Sequence, residues 1–219
     1  MREEECFVEL CKIVDTLLGE NGCPWDKAQT HQSLRTDLLE ESYEVADAID
    51  QNDMTALCEE LGDLLLHVVM HSRIAERGGH FNLPDVVRQV ADKLVTRHSH
   101  IFGDDKAVSP EEAEKTWEAN KNKEKALFTP LENMKAVPKA LPALERTQKV
   151  IKRSKQELSG SIDELRILID NLEKNTIKVE KMENIGKILF FIVKISTKMQ
   201  INAELSLTNA TQEFINSFE

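Results

Sequence analysis

Aromatic residues make up only 5% of this 219-residue chain, with a single tyrosine and two tryptophans. Glycine and proline are also scarce, at eight and six residues. A sandwich or barrel of short strands needs more of both classes, so their scarcity favours helices over sheets. No apolar run approaches the roughly 20 residues that a membrane-spanning helix needs. The longest, 188–193, lies inside a helical pattern. The first ten residues, MREEECFVEL, are acidic and amphipathic and do not read as a secretory signal. Cys6, Cys11, Cys23 and Cys58 show no CxxC spacing and no disulfide framework, which points to reduced thiols in a cytoplasm. Basic charge is short as well. With 28 Lys and Arg against 39 Asp and Glu, the net charge of −11 argues against binding a nucleic-acid polymer. A single nucleotide held through a bridging cation stays compatible with it.

What the chain does have is 41% hydrophobic and 31% charged residues, enough apolar material for a core. The organising stretch is 40–63, EESYEVADAIDQNDMTALCEELGD. It carries two carboxylate clusters, Glu40/Glu41/Glu44 and Glu59/Glu60/Asp63, on two helices joined near 51–53. Residues three apart share a helix face, so Glu41 with Glu44 and Glu60 with Asp63 each present a carboxylate pair. An antiparallel packing across the short turn makes the pairs converge. Converging carboxylates repel unless a cation sits among them, and a hard ion such as Mg²⁺ suits an all-oxygen set. The bland reading of ExxE is a solvated face. Against it, the first cluster borders the stripe Leu34, Leu38, Val45 and Ile49, and the second borders Leu61, Leu65, Val68 and Val69.

Around this stretch, 3–18 has helical spacing, with Phe7, Leu10, Val14, Leu17 and Leu18 on one side. The loop GENGCPWDKAQTH interrupts it. Trp25 there is either a core plug or a ligand-stacking surface, and Thr30 is placed to cap the next helix. Asp53 opens a helix that runs to Arg77, and Gly78-Gly79 closes it. That helix carries His67 and His71, four apart. The pair could bind zinc but lacks the glutamate of a metalloprotease motif, so exposed or supporting histidines are expected. Asn82 opens a helix with Val86, Val90, Leu94 and Val95 on its apolar side and Lys93 and Arg97 on another. That cationic pair is a solvated edge or a phosphate clamp. Ser109-Pro110 starts a further helix with Trp117 and Lys121, and prolines mark 129–142 as a linker.

Amphipathic helices are expected near 143–158, 162–174, 180–200 and 203–218, in what looks like a faded copy of the first part. ELGDLLLHVV at 60–69 aligns with NIGKILFFIV at 184–193, and 90–98 with 209–218. Asn184 and Lys187 stand where Glu60 and Asp63 were, and Glu213 and Ser217 where Lys93 and Arg97 were. The copy keeps the scaffold and loses the charges.

EExxE, then ExxD, preceded by the Cys23-Pro24-Trp25-Asp26 loop with Gln29-Thr30 and followed by KLxxRH, resembles the MazG-type nucleoside triphosphate pyrophosphohydrolases. The resemblance covers about 7–125, and the repeat suggests the two-domain form. It implies a catalytic domain over 1–128, a linker over 129–142 and a degenerate MazG-like domain over 143–219. The implied fold is an all-α, four-helix bundle, usually dimeric. The implied reaction cleaves a nucleoside triphosphate between its α and β phosphates, with Mg²⁺ (or Mn²⁺) as cofactor. By position, Glu41, Glu44, Glu60 and Asp63 would ligate the metal, and Glu40 would orient or deprotonate the attacking water. Lys93 and Arg97 would bind phosphate; Trp117, Lys121 and Trp25 would contact the nucleotide. Two-domain relatives can hold their activity in the C-terminal copy, which here lacks the ligands. A non-catalytic nucleotide-binding or scaffold relative is therefore the alternative, alongside an enzyme of this fold acting on dUTP or phosphoribosyl-ATP.

Overall fold

A computed structural model describes residues 2–155, 162–174 and 177–218. Among them there are helices and no strands. The chain forms two compact units, residues 1–104 and 105–219.

The first unit contains α1 (Glu3–Leu18), the one-turn α2 (Pro24–Lys27), α3 (Arg35–Asp50), α4 (Met54–Arg77), α5 (Leu83–Arg97) and the one-turn α6 (Ser99–Phe102). Local chemistry sets most of these boundaries. Asp53 accepts hydrogen bonds from the Thr55 and Ala56 amides at the start of α4. Asn82 and Asp85 form a reciprocal capping box at the start of α5. Gly78 ends α4, followed by Gly79 at φ 71°. Thr30 does not cap α3, whose N-cap position is Leu34 without a side-chain bond. It caps the turn before it instead, exchanging hydrogen bonds with Ser33. At Gly22 a side chain is excluded, because a Cβ would lie 2.1 Å from the Leu17 carbonyl oxygen.

The core of this unit joins Val14 and Leu18 of α1, Leu34, Val69 and Met70 of α4, and Leu83 of α5. The apolar stripes expected on α4 and α5 are only partly the buried ones. Val69 is fully buried, whereas Leu61, Leu65 and Val68 are exposed, as are Val90, Leu94 and Val95 of α5 and Ile49 of α3. The reason is that α4 is apolar on more than one side. It turns Val69, Met70, Ala75 and partly buried Leu66 and Ile74 inward, and the 61/65/68 row faces elsewhere.

The second unit contains α7 (Pro110–Glu124), α8 (Pro130–Lys135), α9 (Ala143–Ser154), α10 (Ile162–Lys174), α11 (Lys178–Lys198) and α12 (Ala203–Asn216). The helix expected over 143–158 ends earlier, and residues 156–158 lie outside the described residues. The proline-containing stretch 129–142 holds α8, because Thr129 and Glu132 form a capping box with Pro130 at the first helical position. Ile151, Val193 and Ala203 make a small core. Gln148 secures it, donating to the Ile201 carbonyl at 2.7 Å and accepting from the Ala203 amide at 3.3 Å.

The aligned positions of α4 and α11 have matching environments. Val69 and Val193 are both fully buried, while Leu65 and Leu189 are 40% and 46% exposed. Gly62 and Gly186 both face open space.

Candidate active site

The α3–α4 hairpin builds the site. Asn52 takes the left-handed conformation at φ 55°, which asparagine tolerates better than most residues, and the Asp53 amide returns to the Ala48 carbonyl at 2.9 Å. The chain reverses at once, and α3 and α4 pack against each other. Glu41 and Asp63 are equally far in sequence from Asn52, so the hairpin sets them at one level.

Glu41, Glu60 and Asp63 each bring one carboxylate oxygen to within 4.8 Å of the others. All three are half-buried. The Glu41 carboxyl is pushed up to about 7, first by burial, then by the charges of Glu44 and Asp63, a hydrogen bond with Glu44 and the charge of Glu60. Glu60 is also raised, by burial and by Glu44, Glu59 and Asp63. Like charges crowded at the edge of a core disfavour one another's ionised forms. A divalent cation among them reverses that penalty, and three convergent carboxylates are a donor set for a hard, oxygen-seeking ion.

Four metal ligands were expected, and three converge. Glu44 is exposed, outside the set of close oxygens but near enough to perturb both Glu41 and Glu60. Glu40 is exposed on α3 and is not one of the converging groups. Lys93 and Arg97 stand one turn apart on α5, Lys93 half-buried and Arg97 buried with protein partners. Trp25 is 60% exposed and so is not a core plug. Its loop is held by Lys27 Nζ donating to the Glu20 carbonyl and Gln29 donating to the Trp25 carbonyl. Trp117 and Lys121 belong to α7 of the second unit. There the Lys121 ammonium lies 4.4 Å from the Trp117 ring centroid and 2.8 Å from Glu118.

Of the two expected readings, exposed or supporting, His67 is not exposed but buried, and His71 Nδ1 lies 2.8 Å from Nδ1 of His31, ahead of α3. The HxxxH spacing was visible in the sequence, but nothing local could have tied His31 to it. The ion pair of Arg73 (α4) with Asp15 (α1), which braces the helix behind the carboxylates, was equally hidden.

Among the described residues, no helix is long and apolar enough to cross a membrane. All four cysteines are free thiols. Residues 29–102 match the family model described as the MazG nucleotide pyrophosphohydrolase domain. The matched segment contains all the carboxylates with Lys93 and Arg97, and excludes Trp25, Trp117 and Lys121. The chain is 34% identical over 219 residues to the nucleoside triphosphate pyrophosphohydrolase/pyrophosphatase MazG of Thermotoga maritima, covering 97% of this chain and 84% of that one. It is 36% identical over 210 residues to the nucleoside triphosphate pyrophosphohydrolase of Escherichia coli K12, covering 91% and 80%. A third relative, the enzyme of the same name in Mycolicibacterium smegmatis, is 34% identical over 82% of this chain and 57% of its own length. From the convergent carboxylates within the matched segment and the similarity that runs along most of the chain, this protein belongs to the MazG nucleotide pyrophosphohydrolase family.

Proposed function

We propose that this chain is a divalent-metal-dependent nucleoside triphosphate pyrophosphohydrolase whose reaction centre is the Glu41/Glu60/Asp63 cluster. The single observation that carries the reading is the convergence of those three oxygens within 4.8 Å, with Glu41 pushed up to about 7. Hydrolysis of a phosphoanhydride asks the protein for charge neutralisation, a positioned water and a held leaving group, rather than covalent chemistry. Mg²⁺, or Mn²⁺ in its place, would supply charge compensation and water activation when bound. Glu41, Glu60 and Asp63 would hold the cation from two helices, with Glu44 as the fourth, outer carboxylate. Glu40 orients the attacking water or accepts its proton. Water adds across the α–β phosphoanhydride, whose P–O bond breaks, leaving the nucleoside monophosphate and pyrophosphate.

Lys93 and Arg97 are proposed to neutralise the phosphates, and Trp25, Trp117 and Lys121 to contact the nucleoside. The catalytic domain is taken as 1–128, with 143–219 as its degenerate partner: Lys187 puts a cation where Asp63 has a carboxylate. A homodimer is supported by the exposed apolar residues Leu61, Leu65 and Val68 on α4 and Val90 and Leu94 on α5. Four reduced thiols support a cytoplasmic setting.

The test is incubation of the full chain with a panel of common, deaminated and oxidised nucleoside triphosphates, dUTP and phosphoribosyl-ATP, with Mg²⁺. Monophosphate and pyrophosphate, lost in Glu41→Gln, are the expected products. Release of orthophosphate alone, or nucleotide binding without turnover at any Mg²⁺ or Mn²⁺ concentration, would refute the reading.

A further inference from the structure

In an acidic protein, the cations of the second unit are unevenly placed. Residues 143–155 hold Arg146, Lys149, Lys152, Arg153 and Lys155 against one acid, Glu145. Helix α9 buries Gln148 and Ile151 on one side, which leaves Lys152 and Lys155 exposed on others. Cations in the last turn of a helix are favoured by its dipole, and that alone accounts for Lys152 and Arg153 on an open surface. The surface they lie on is concave. Lys149, Lys152, Arg153 and Lys155 line a cleft of about 840 Å³, whose other wall, from α7, contributes Lys115 and Lys121.

Only part of that charge is compensated. Lys121 pairs with Glu118 at 2.8 Å and Lys149 with Glu145 at 2.6 Å. Arg153 donates to the backbone carbonyl of Asn133, a neutral acceptor. Among the described residues, Lys115, Lys152 and Lys155 make no ion pair. Glu114 is the remaining acid of the cleft. Like charges on facing walls of a concavity add their fields over the enclosed space, which attracts anions far better than the same lysines on a convex surface. The volume is that of a small-molecule site. A nucleic-acid polymer would meet the chain's net charge of −11 outside the cleft.

We propose that the α7–α9 cleft binds a small polyphosphate anion, with Lys152 and Arg153 of α9, Lys155 just after it and Lys115 of α7 contacting the phosphates. The ligand is inorganic polyphosphate or the phosphate chain of a nucleotide. Trp117 and Lys121, proposed above to contact the nucleoside, also line this cleft, but the inference needs neither the metal nor the carboxylates of the first unit.

Calorimetric titration of the full chain in EDTA tests it, with inorganic tripolyphosphate and ATP as probes. Saturable binding is expected, weakened by roughly tenfold or more in Lys152→Glu/Lys155→Glu and in Lys115→Glu, the weight of one charge-assisted contact. Lys139→Glu, in the same unit but outside the cleft, should bind as wild type does. Circular dichroism of each variant establishes that it is folded. Tighter binding of ATP than of tripolyphosphate assigns a contact to the nucleoside; equal binding assigns the site to phosphates alone. The proposal is overturned if neither probe saturates the wild type, or if the charge reversals leave binding unchanged. It is also overturned if Glu41→Gln abolishes binding while they do not, or if only single-stranded oligonucleotides bind.

Discussion

At Glu41 two demands oppose each other: the fold holds the carboxyl beside three others at the edge of a core, and water would keep it ionised. Its folded-state value of about 7, against an ordinary 4.5, records the outcome. Across that interval the folded protein binds more protons than the unfolded chain. The metal-free protein is therefore expected to lose stability as pH rises from about 4.5 to 7, and the raised Glu60 acts in the same direction. Thermal melts in EDTA across that window should show the fall, and Glu41→Gln should flatten it. A Glu41→Gln slope equal to that of wild type would contradict this cause. The same substitution should reduce metal-dependent turnover by more than about 100-fold, since even groups that only support a ligand cost 10–100-fold. Glu44→Gln, at the outer carboxylate, should cost less.

At the scale of the element, the α3–α4 hairpin is the device that turns two ordinary acidic patterns into one site. Its reversal depends on Asn52 at φ 55°. Asn52→Gly should be close to neutral, and Asn52→Val should cost about 1–2 kcal/mol by chemical denaturation, the penalty for a branched side chain in the left-handed region. Equal stability of the two variants would show that the turn is not a constraint. The helix boundaries were largely legible in the sequence, because the caps Asp53, Asn82 and Ser109 bond amides two or three residues away and Gly78-Gly79 closes α4. The pairing of Glu41 with Glu60 and Asp63 was legible for a similar reason: a short turn leaves adjacent helices little choice of register. What could not be read was which of several apolar rows on α4 is buried, since periodicity marks rows and only packing partners choose among them. Trp25, apolar by type and exposed in fact, and His31, distant in sequence from His71, were hidden on the same ground.

For the whole molecule, α4 and α11 agree at particular positions: Val69 and Val193 are both fully buried, and Leu65 and Leu189 both exposed, while Asn184 and Lys187 stand where Glu60 and Asp63 are aligned. The exposed leucines are expected to be covered if the proposed homodimer forms. Leu65→Asp is therefore predicted to shift sedimentation of the full chain toward the monomer while the helical content holds. Unchanged sedimentation of a dimer would move the interface elsewhere; a monomeric wild type would remove the homodimer from the account. The central claim remains that carboxylates of α3 and α4 jointly trap a divalent ion. The most direct measurement is electron paramagnetic resonance of Mn²⁺ titrated into the full chain, with Mg²⁺ as competitor and Asp63→Asn as control. Saturable Mn²⁺ binding that Mg²⁺ displaces and Asp63→Asn abolishes is the predicted result. Absence of binding, or binding undiminished in Asp63→Asn, would contradict it.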